Sequence, residues 1–138
     1  MRPHPGFERR AIEYLERAPR NNAEVLVHLA YLYEWSGDPA KAAPLYNRAL
    51  QFDPSQVAAA ANLGNYYVTA GRSREAIRLW RNALERSPGL ETVRLSLALA
   101  LYRSGDATGG VESLRKLLEL NPAHADARRL LDEAKARR

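Results

Sequence analysis

Apolar residues recur along this chain with the spacing of an α-helix, and a glycine or a proline interrupts each run. Leu26, Leu29, Ala30 and Tyr33 fall at i, i+3, i+4 and i+7, which places them on one face of a helix. Gly37 then breaks the pattern, and glycine readily takes the left-handed conformation just past a helix end. The pattern predicts a helix that ends in a tight turn at Gly37.

A second helix is predicted directly after that turn. We expect Asp38 to be its N-cap, with Pro39 at the first helical position, and Asp106 to cap the corresponding helix later in the chain. In the copy between them Arg72 replaces the aspartate, so we expect that cap to move to Ser73. The apolar positions of the second helix are Ala42, Leu45, Tyr46, Ala49 and Leu50. This arrangement predicts a helix, a turn and a second helix.

The helical pair repeats with a period of 34 residues. Shifting the chain by 34 superimposes Leu29/Leu63/Leu97, Gly37/Gly71/Gly105, Leu50/Leu84/Leu118 and Pro54/Pro88/Pro122. Small residues occupy the expected crossing of the two helices, where a larger side chain would push their axes apart. Those positions are Ala30/Gly64/Ala98 and Ala42/Ala76/Gly110. One such hairpin cannot bury its apolar face alone, so we expect three stacked hairpins over 23–56, 57–90 and 91–124.

The repeat resembles the tetratricopeptide repeat family, most closely in its second copy. The residues that carry the resemblance are Leu63, Gly64, Tyr67, Gly71, Ala76, Trp80, Ala83 and Pro88. The resemblance covers residues 23–124. It implies an all-α fold, a right-handed superhelical solenoid of antiparallel helix hairpins with about eight helices in a single domain.

The two ends of the chain fit the same arrangement. Residues 1–22 contain an apolar helical pattern from Ala11 to Ala18, which resembles the second helix of a preceding repeat. Residues 125–138 begin like a fourth repeat and stop after one helix, as a capping helix would. A chain that starts in the middle of a hairpin is either a natural cap or a fragment of a longer array, of which we favour the fragment, and the exposed flank of the first helix could drive self-association.

A second stripe of side chains on each first helix is the candidate binding site. In proteins of this family such stripes line a concave groove, which is the usual ligand surface. The stripes predict a groove lined by Val27, His28, Tyr31, Glu34, Trp35, Asn62, Asn65, Thr69, Leu95, Leu99, Tyr102 and Arg103.

The chemistry of these side chains suits a peptide. The amides of Asn62 and Asn65 could hold the backbone of an extended peptide without reading its sequence, the alternative being that they are simply solvated. Tyr31 and Trp35 supply flat apolar area of the kind that anchors interfaces, the alternative for Trp35 being packing against the next hairpin. Arg103 could pair with a carboxylate.

Composition and charge exclude several classes of protein and of chemistry. The chain of 138 residues is 46% hydrophobic with no apolar run long enough to span a membrane, and it has no cysteine, which excludes disulfides and thiolate chemistry. The net charge of +5 is spread along the chain. The basic residues are mostly arginine, which is typical of a protein encoded by a GC-rich bacterial genome. Arg74, Arg78 and Arg81 form one basic stripe. Its simplest interpretation is a solvent-exposed helix face whose positive charge is partly balanced by Glu75 and Glu85.

The sequence therefore predicts a non-catalytic protein-interaction scaffold that binds a peptide segment of a protein partner in its concave groove. A self-assembly module is the first alternative, and a basic nucleic-acid-binding surface is the second and weaker one. Histidines at metal-ligand spacing and phosphate-binding loops are missing from the sequence, so we expect no enzyme activity, no cofactor and no metal. Without a visible signal peptide we favour a soluble, cytoplasmic protein, or a soluble piece of a larger or exported one.

Overall fold

The computed structural model describes residues 5–18 and 22–137, and this part of the chain forms eight α-helices. They are α1 (Pro5–Arg17), α2 (Ala23–Trp35), α3 (Pro39–Phe52), α4 (Val57–Thr69), α5 (Ser73–Arg86), α6 (Glu91–Arg103), α7 (Ala107–Leu120) and α8 (Ala125–Ala136). The expected all-α repeat fold is confirmed. None of the described helices has both the length and the apolar character needed to cross a membrane.

Three hairpins, α2–α3, α4–α5 and α6–α7, share one turn geometry. Gly37, Gly71 and Gly105 have φ angles of +88°, +78° and +96°, a conformation that other residues rarely adopt. In the first turn the amide of Asp38 donates to the carbonyl of Tyr33 at 2.8 Å, and equivalent bonds of 2.7 and 2.9 Å close the other two turns. These bonds satisfy carbonyls that a helix end leaves free, so the sequence-predicted turns are confirmed.

The N-caps agree with the sequence in two of the three hairpins. The Asp38 carboxylate accepts from the amide of Lys41, and that of Asp106 accepts from the amide of Gly109 at 2.8 Å. The expected shift of the middle cap to Ser73 is wrong, because α5 begins at Ser73 and Arg72 holds the N-cap position, where its side chain makes no capping hydrogen bond. The glycine turn fixes where the helix starts, and the residue that follows cannot change that register.

Two of the helix crossings require a glycine, because a Cβ atom there would collide with an aromatic ring on the facing helix. A Cβ added to Gly64 would lie 2.2 Å from the indole of Trp80, and one added to Gly110 would lie 2.6 Å from the ring of Tyr102. The Trp80 indole is buried and donates to the carbonyl oxygen of Ala60 at 2.9 Å, which holds the ring in this position. Glycine at residue 64 therefore makes room for the largest side chain of the core.

The hairpins stack in chain order. The second helix of each hairpin packs on the first helix of the next, in the pairs α3–α4, α5–α6 and α7–α8, and α1 packs on α2. The core accordingly falls into three clusters, centred on Tyr46, Trp80 and Leu114. Helix α4 also packs directly on α6, which brings the first helices of neighbouring hairpins to one surface. We call the surface formed by α2, α4, α6 and α8 the groove.

Candidate functional site

Three cavities lie side by side along the groove. The first cavity, between α2 and α4, has a volume of about 450 Å³, the middle cavity, between α4 and α6, about 80 Å³, and the last cavity, between α6 and α8, about 170 Å³. Asn65 lines both the first and the middle cavity, and Leu99 lines both the middle and the last. The three cavities thus form a row of adjacent depressions along the stacked first helices.

The first cavity joins two hairpins, and its mostly apolar lining carries several polar side chains. Its lining comprises Glu34, Pro39, Asn62, Asn65, Tyr66, Thr69 and Ala70. Asn65 and Thr69 are exposed, one helical turn apart on α4, so both can reach a bound molecule. The cavity offers amide and hydroxyl groups and one carboxylate.

A chain of hydrogen bonds through Tyr46 joins Glu34 and Asn62, two residues that line the first cavity. The buried Tyr46 hydroxyl donates to Glu34 Oε2 at 2.9 Å and accepts from Asn62 Nδ2 at 3.1 Å. Burial raises the pKa of the Tyr46 hydroxyl, which therefore stays protonated and acts as the donor. Burial also raises the pKa of Glu34, although the hydrogen bond from Tyr46 acts in the opposite direction. These hydrogen bonds fix the orientation of the Glu34 and Asn62 side chains and link α2, α3 and α4.

The middle and last cavities differ in the side chains that line them. Asn65, Ser96 and Arg103 give the middle cavity polar and basic groups, beside the apolar side chain of Leu99. The last cavity is mainly apolar, lined by Leu99, Tyr102 and others on α7 and α8. The Tyr102 hydroxyl is buried and makes no hydrogen bond within the described part of the chain.

Seven of the predicted groove residues meet in these cavities. They are Glu34, Asn62, Asn65, Thr69, Leu99, Tyr102 and Arg103. The rest lie outside them: Val27 is buried in the first core cluster, Leu95 packs against the third, and His28 is exposed. The rings of Tyr31 and Trp35 are in contact on α2, with centroids 5.5 Å apart and ring planes inclined by 56°.

Sequence reasoning missed the contribution of α8. Leu130, Glu133 and Arg137 line the last cavity. These residues stand 34 positions after Ser96, Leu99 and Arg103, so the period carried into residues 125–138 points to them. The capping helix covers the third hairpin and also completes the groove.

The structure assigns other charged groups to the surface. Arg74, Arg78 and Arg81 are exposed on α5. Glu75, expected to balance them, is held by Arg72, whose Nε donates to Glu75 Oε1 at 2.7 Å, and this pairing lowers the pKa of Glu75. Within the described residues no cluster of three or more His, Asp or Glu side chains could hold a metal ion.

Comparison with known proteins agrees with the repeat. Two models described as tetratricopeptide repeat match the chain, one over residues 61–123 and 95–134 and the other over residues 23–65. A search of curated proteins found no match.

Solved structures share the fold over nearly the whole chain. The crystal structure of MamA is 22% identical, with a TM-score of 0.76 over 91% of this chain and 73% of that one, and MamA AMB-1 is 25% identical, with a TM-score of 0.71 over 96% and 79%. YrrB, described as a TPR protein with an unusual peptide-binding site, is 18% identical, with a TM-score of 0.72 over 91% and 66%. These likenesses concern the architecture of stacked helix hairpins.

Proposed function

The chain belongs to the tetratricopeptide repeat family, and from this premise we propose that it is a non-catalytic scaffold that holds a peptide segment of a partner protein in the groove. The row of adjacent cavities along α2, α4, α6 and α8 is the observation that carries the proposal. A row of this kind suits an elongated ligand, because successive side chains of a peptide can enter successive cavities. The peptide-binding site described for YrrB supports the same use of the fold.

The mechanism is capture by a preformed surface. The groove side chains project from helices packed into a common core, and the Glu34–Tyr46–Asn62 chain holds two of them in place before a ligand arrives. A rigid surface loses little conformational entropy on association, so more of the contact free energy appears as affinity. Asn65, shared by two cavities, would hydrogen-bond the peptide backbone.

Selection from a library of random peptides displayed on phage tests this proposal. The selected peptides should bind Asn65→Ala about fivefold more weakly than the unmodified protein, the effect of losing one hydrogen bond. Asn82→Ala is the matched control, because Asn82 is exposed on α5 outside the groove. Failure to select any peptide, or equal affinity for the two variants, would contradict the proposal.

Tyr31→Ala shows how far the contact surface extends. Tyr31 is 46% exposed on α2 but lies outside the three cavities. We expect weaker binding of the selected peptides if the surface reaches the Tyr31–Trp35 pair, and unchanged binding if it ends at the first cavity.

Self-association through α1 is a second candidate function. Tyr14 on α1 is 76% exposed, the largest exposure among the large apolar side chains of the described chain. An aromatic ring in that position suits contact with a second copy. Light scattering over a concentration series tests it: a mass that rises with concentration, and falls back for Tyr14→Ser, supports self-association, and a constant monomer mass refutes it.

A further inference from the structure

We propose that the first cavity is a specificity site for a cationic side chain, Lys or Arg, of the bound peptide. This inference rests on the proposed groove function, since it names which residue of a captured peptide the groove selects. Three features carry it: the charge of the cavity lining, the lack of a cationic partner for Glu34 among the described residues, and the acceptor groups around it.

The charge of the first cavity is that of a single carboxylate. Among the described residues that line it, Glu34 alone is charged, and the remaining side chains are neutral. The volume of about 450 Å³ lies within the range of ligand-binding clefts and accommodates a long side chain. In a chain with a net charge of +5, this cavity is a local site of negative charge.

The Glu34 carboxylate has no cationic partner in the described part of the chain. The ion pairs found there join other residues, and the one hydrogen bond to the carboxylate comes from the neutral Tyr46 hydroxyl. A half-buried carboxylate without a counter-charge costs folding free energy, because it loses water without gaining a cation. Burial accordingly raises the pKa of Glu34. A ligand cation would supply the missing partner.

Neighbouring groups complete a site for a donor-rich cation. Asn62 gives its Nδ2 to Tyr46, which leaves the amide oxygen as its acceptor, and Asn65 and Thr69 add a second amide oxygen and a hydroxyl. A guanidinium carries five N–H donors, an ammonium carries three, and neither accepts a hydrogen bond, so either can pair with the carboxylate and donate to some of these acceptors. An acidic side chain of the peptide would be repelled by Glu34.

Parallel peptide selections on three proteins test the site. The unmodified protein and Glu24→Gln should enrich peptides with Lys or Arg at one fixed position, and Glu34→Gln should lose that preference. Glu24→Gln is the matched control, because it removes the same charge from the exposed first turn of the same helix. The enriched residue also separates a preference for Lys from one for Arg.

A single synthetic peptide gives the quantitative version. For an Arg-containing peptide, replacing that Arg by its neutral isostere citrulline should weaken binding to the unmodified protein about tenfold, as expected for a partly buried ion pair. The same replacement should leave the affinity for Glu34→Gln unchanged. A Lys-containing peptide is treated in the same way with norleucine.

The outcomes separate the two proposals. Peptides that bind the groove, weaken with Asn65→Ala and carry no basic preference would refute the cation site alone. Failure to select any peptide would refute the groove function and this inference with it. If Glu34→Gln lowers the folded fraction, the citrulline comparison on the unmodified protein still decides, and equal affinity for both peptides would overturn the inference.

Discussion

At the scale of single residues, different pairs of side chains fill the helix crossings of the three hairpins. Gly64 faces Trp80, whereas the corresponding first hairpin pairs Ala30 with the smaller Tyr46. In the third hairpin the ring of Tyr102 lies over Gly110. The side chains that pack at the crossings therefore differ from one hairpin to the next.

Gly64→Ala tests whether the crossing of α4 and α5 requires glycine at this position. The added methyl group would overlap the Trp80 indole, which cannot move without losing its hydrogen bond to Ala60. We expect a loss of about 1–3 kcal/mol in the free energy of unfolding despite the higher helix propensity of alanine. Gly89→Ala, where nothing lies within 4 Å, is the control and should have little effect in the same urea denaturation experiment.

Glu34→Gln should change how stability depends on pH. Burial raises the folded-state pKa of Glu34 above its ordinary value of 4.5, so the folded protein keeps a proton that the unfolded chain has lost. Its contribution to stability therefore falls as pH rises from the unfolded pKa through the folded pKa. The variant does not titrate, so its stability relative to the unmodified protein should rise across that window and then level off. Urea denaturation at a series of pH values measures this difference, and a constant difference would contradict the expectation.

At the scale of helices, the start of each second helix shows which local signals decide. Asp38 and Asp106 cap α3 and α7 with their side chains, whereas α5 starts at the same register without such a cap. The glycine turn sets the register, and the cap adds stability to a start already chosen. Helix bounds were predictable for this reason, and the expectation for Ser73 failed because it treated the cap as the cause.

Asp106→Ala and Ser73→Ala measure this distinction. Removing the Asp106 carboxylate leaves the amide of Gly109 without its acceptor and should lower the free energy of unfolding by about 1 kcal/mol. Ser73→Ala should be close to neutral, because Ser73 is the first residue of α5 and provides no cap. Chemical denaturation of both variants is the measurement, and equal losses would show that Ser73 contributes as a cap after all.

At the scale of the whole molecule, stability is distributed along the stack. Each described helix packs mainly on its neighbours in chain order, and α8 packs on α7 through buried Ala127 and Leu131. In such an array a local loss of packing is felt by adjacent hairpins more than by distant ones.

Leu131→Ala should loosen only one end of the stack. The lost packing should lower stability by about 2–5 kcal/mol, and hydrogen exchange should accelerate in α8 and α7 while α2 and α3 keep their protection. Leu120→Ala, at a side chain that is 49% exposed, is the control and should leave exchange unchanged. Uniform acceleration over all helices would show instead that the chain unfolds as one cooperative unit.

The groove was predictable in part, for a reason that belongs to the whole stack. Helical spacing correctly grouped Asn62, Asn65 and Thr69 on α4, because neighbours on one helix face follow from the sequence alone. It did not show that Val27 is buried, since burial depends on which other helix covers that face.

The sequence by itself determined the period and the turns of this protein. These features arise from interactions within a few residues, such as the glycine turn and the bonds between successive turns of a helix, so local sequence is sufficient. Only the tertiary structure decided that Glu34 meets Tyr46 and Asn62 beside an open cavity. That meeting depends on the distance between helices of different hairpins, which the volumes of all the packed side chains set together.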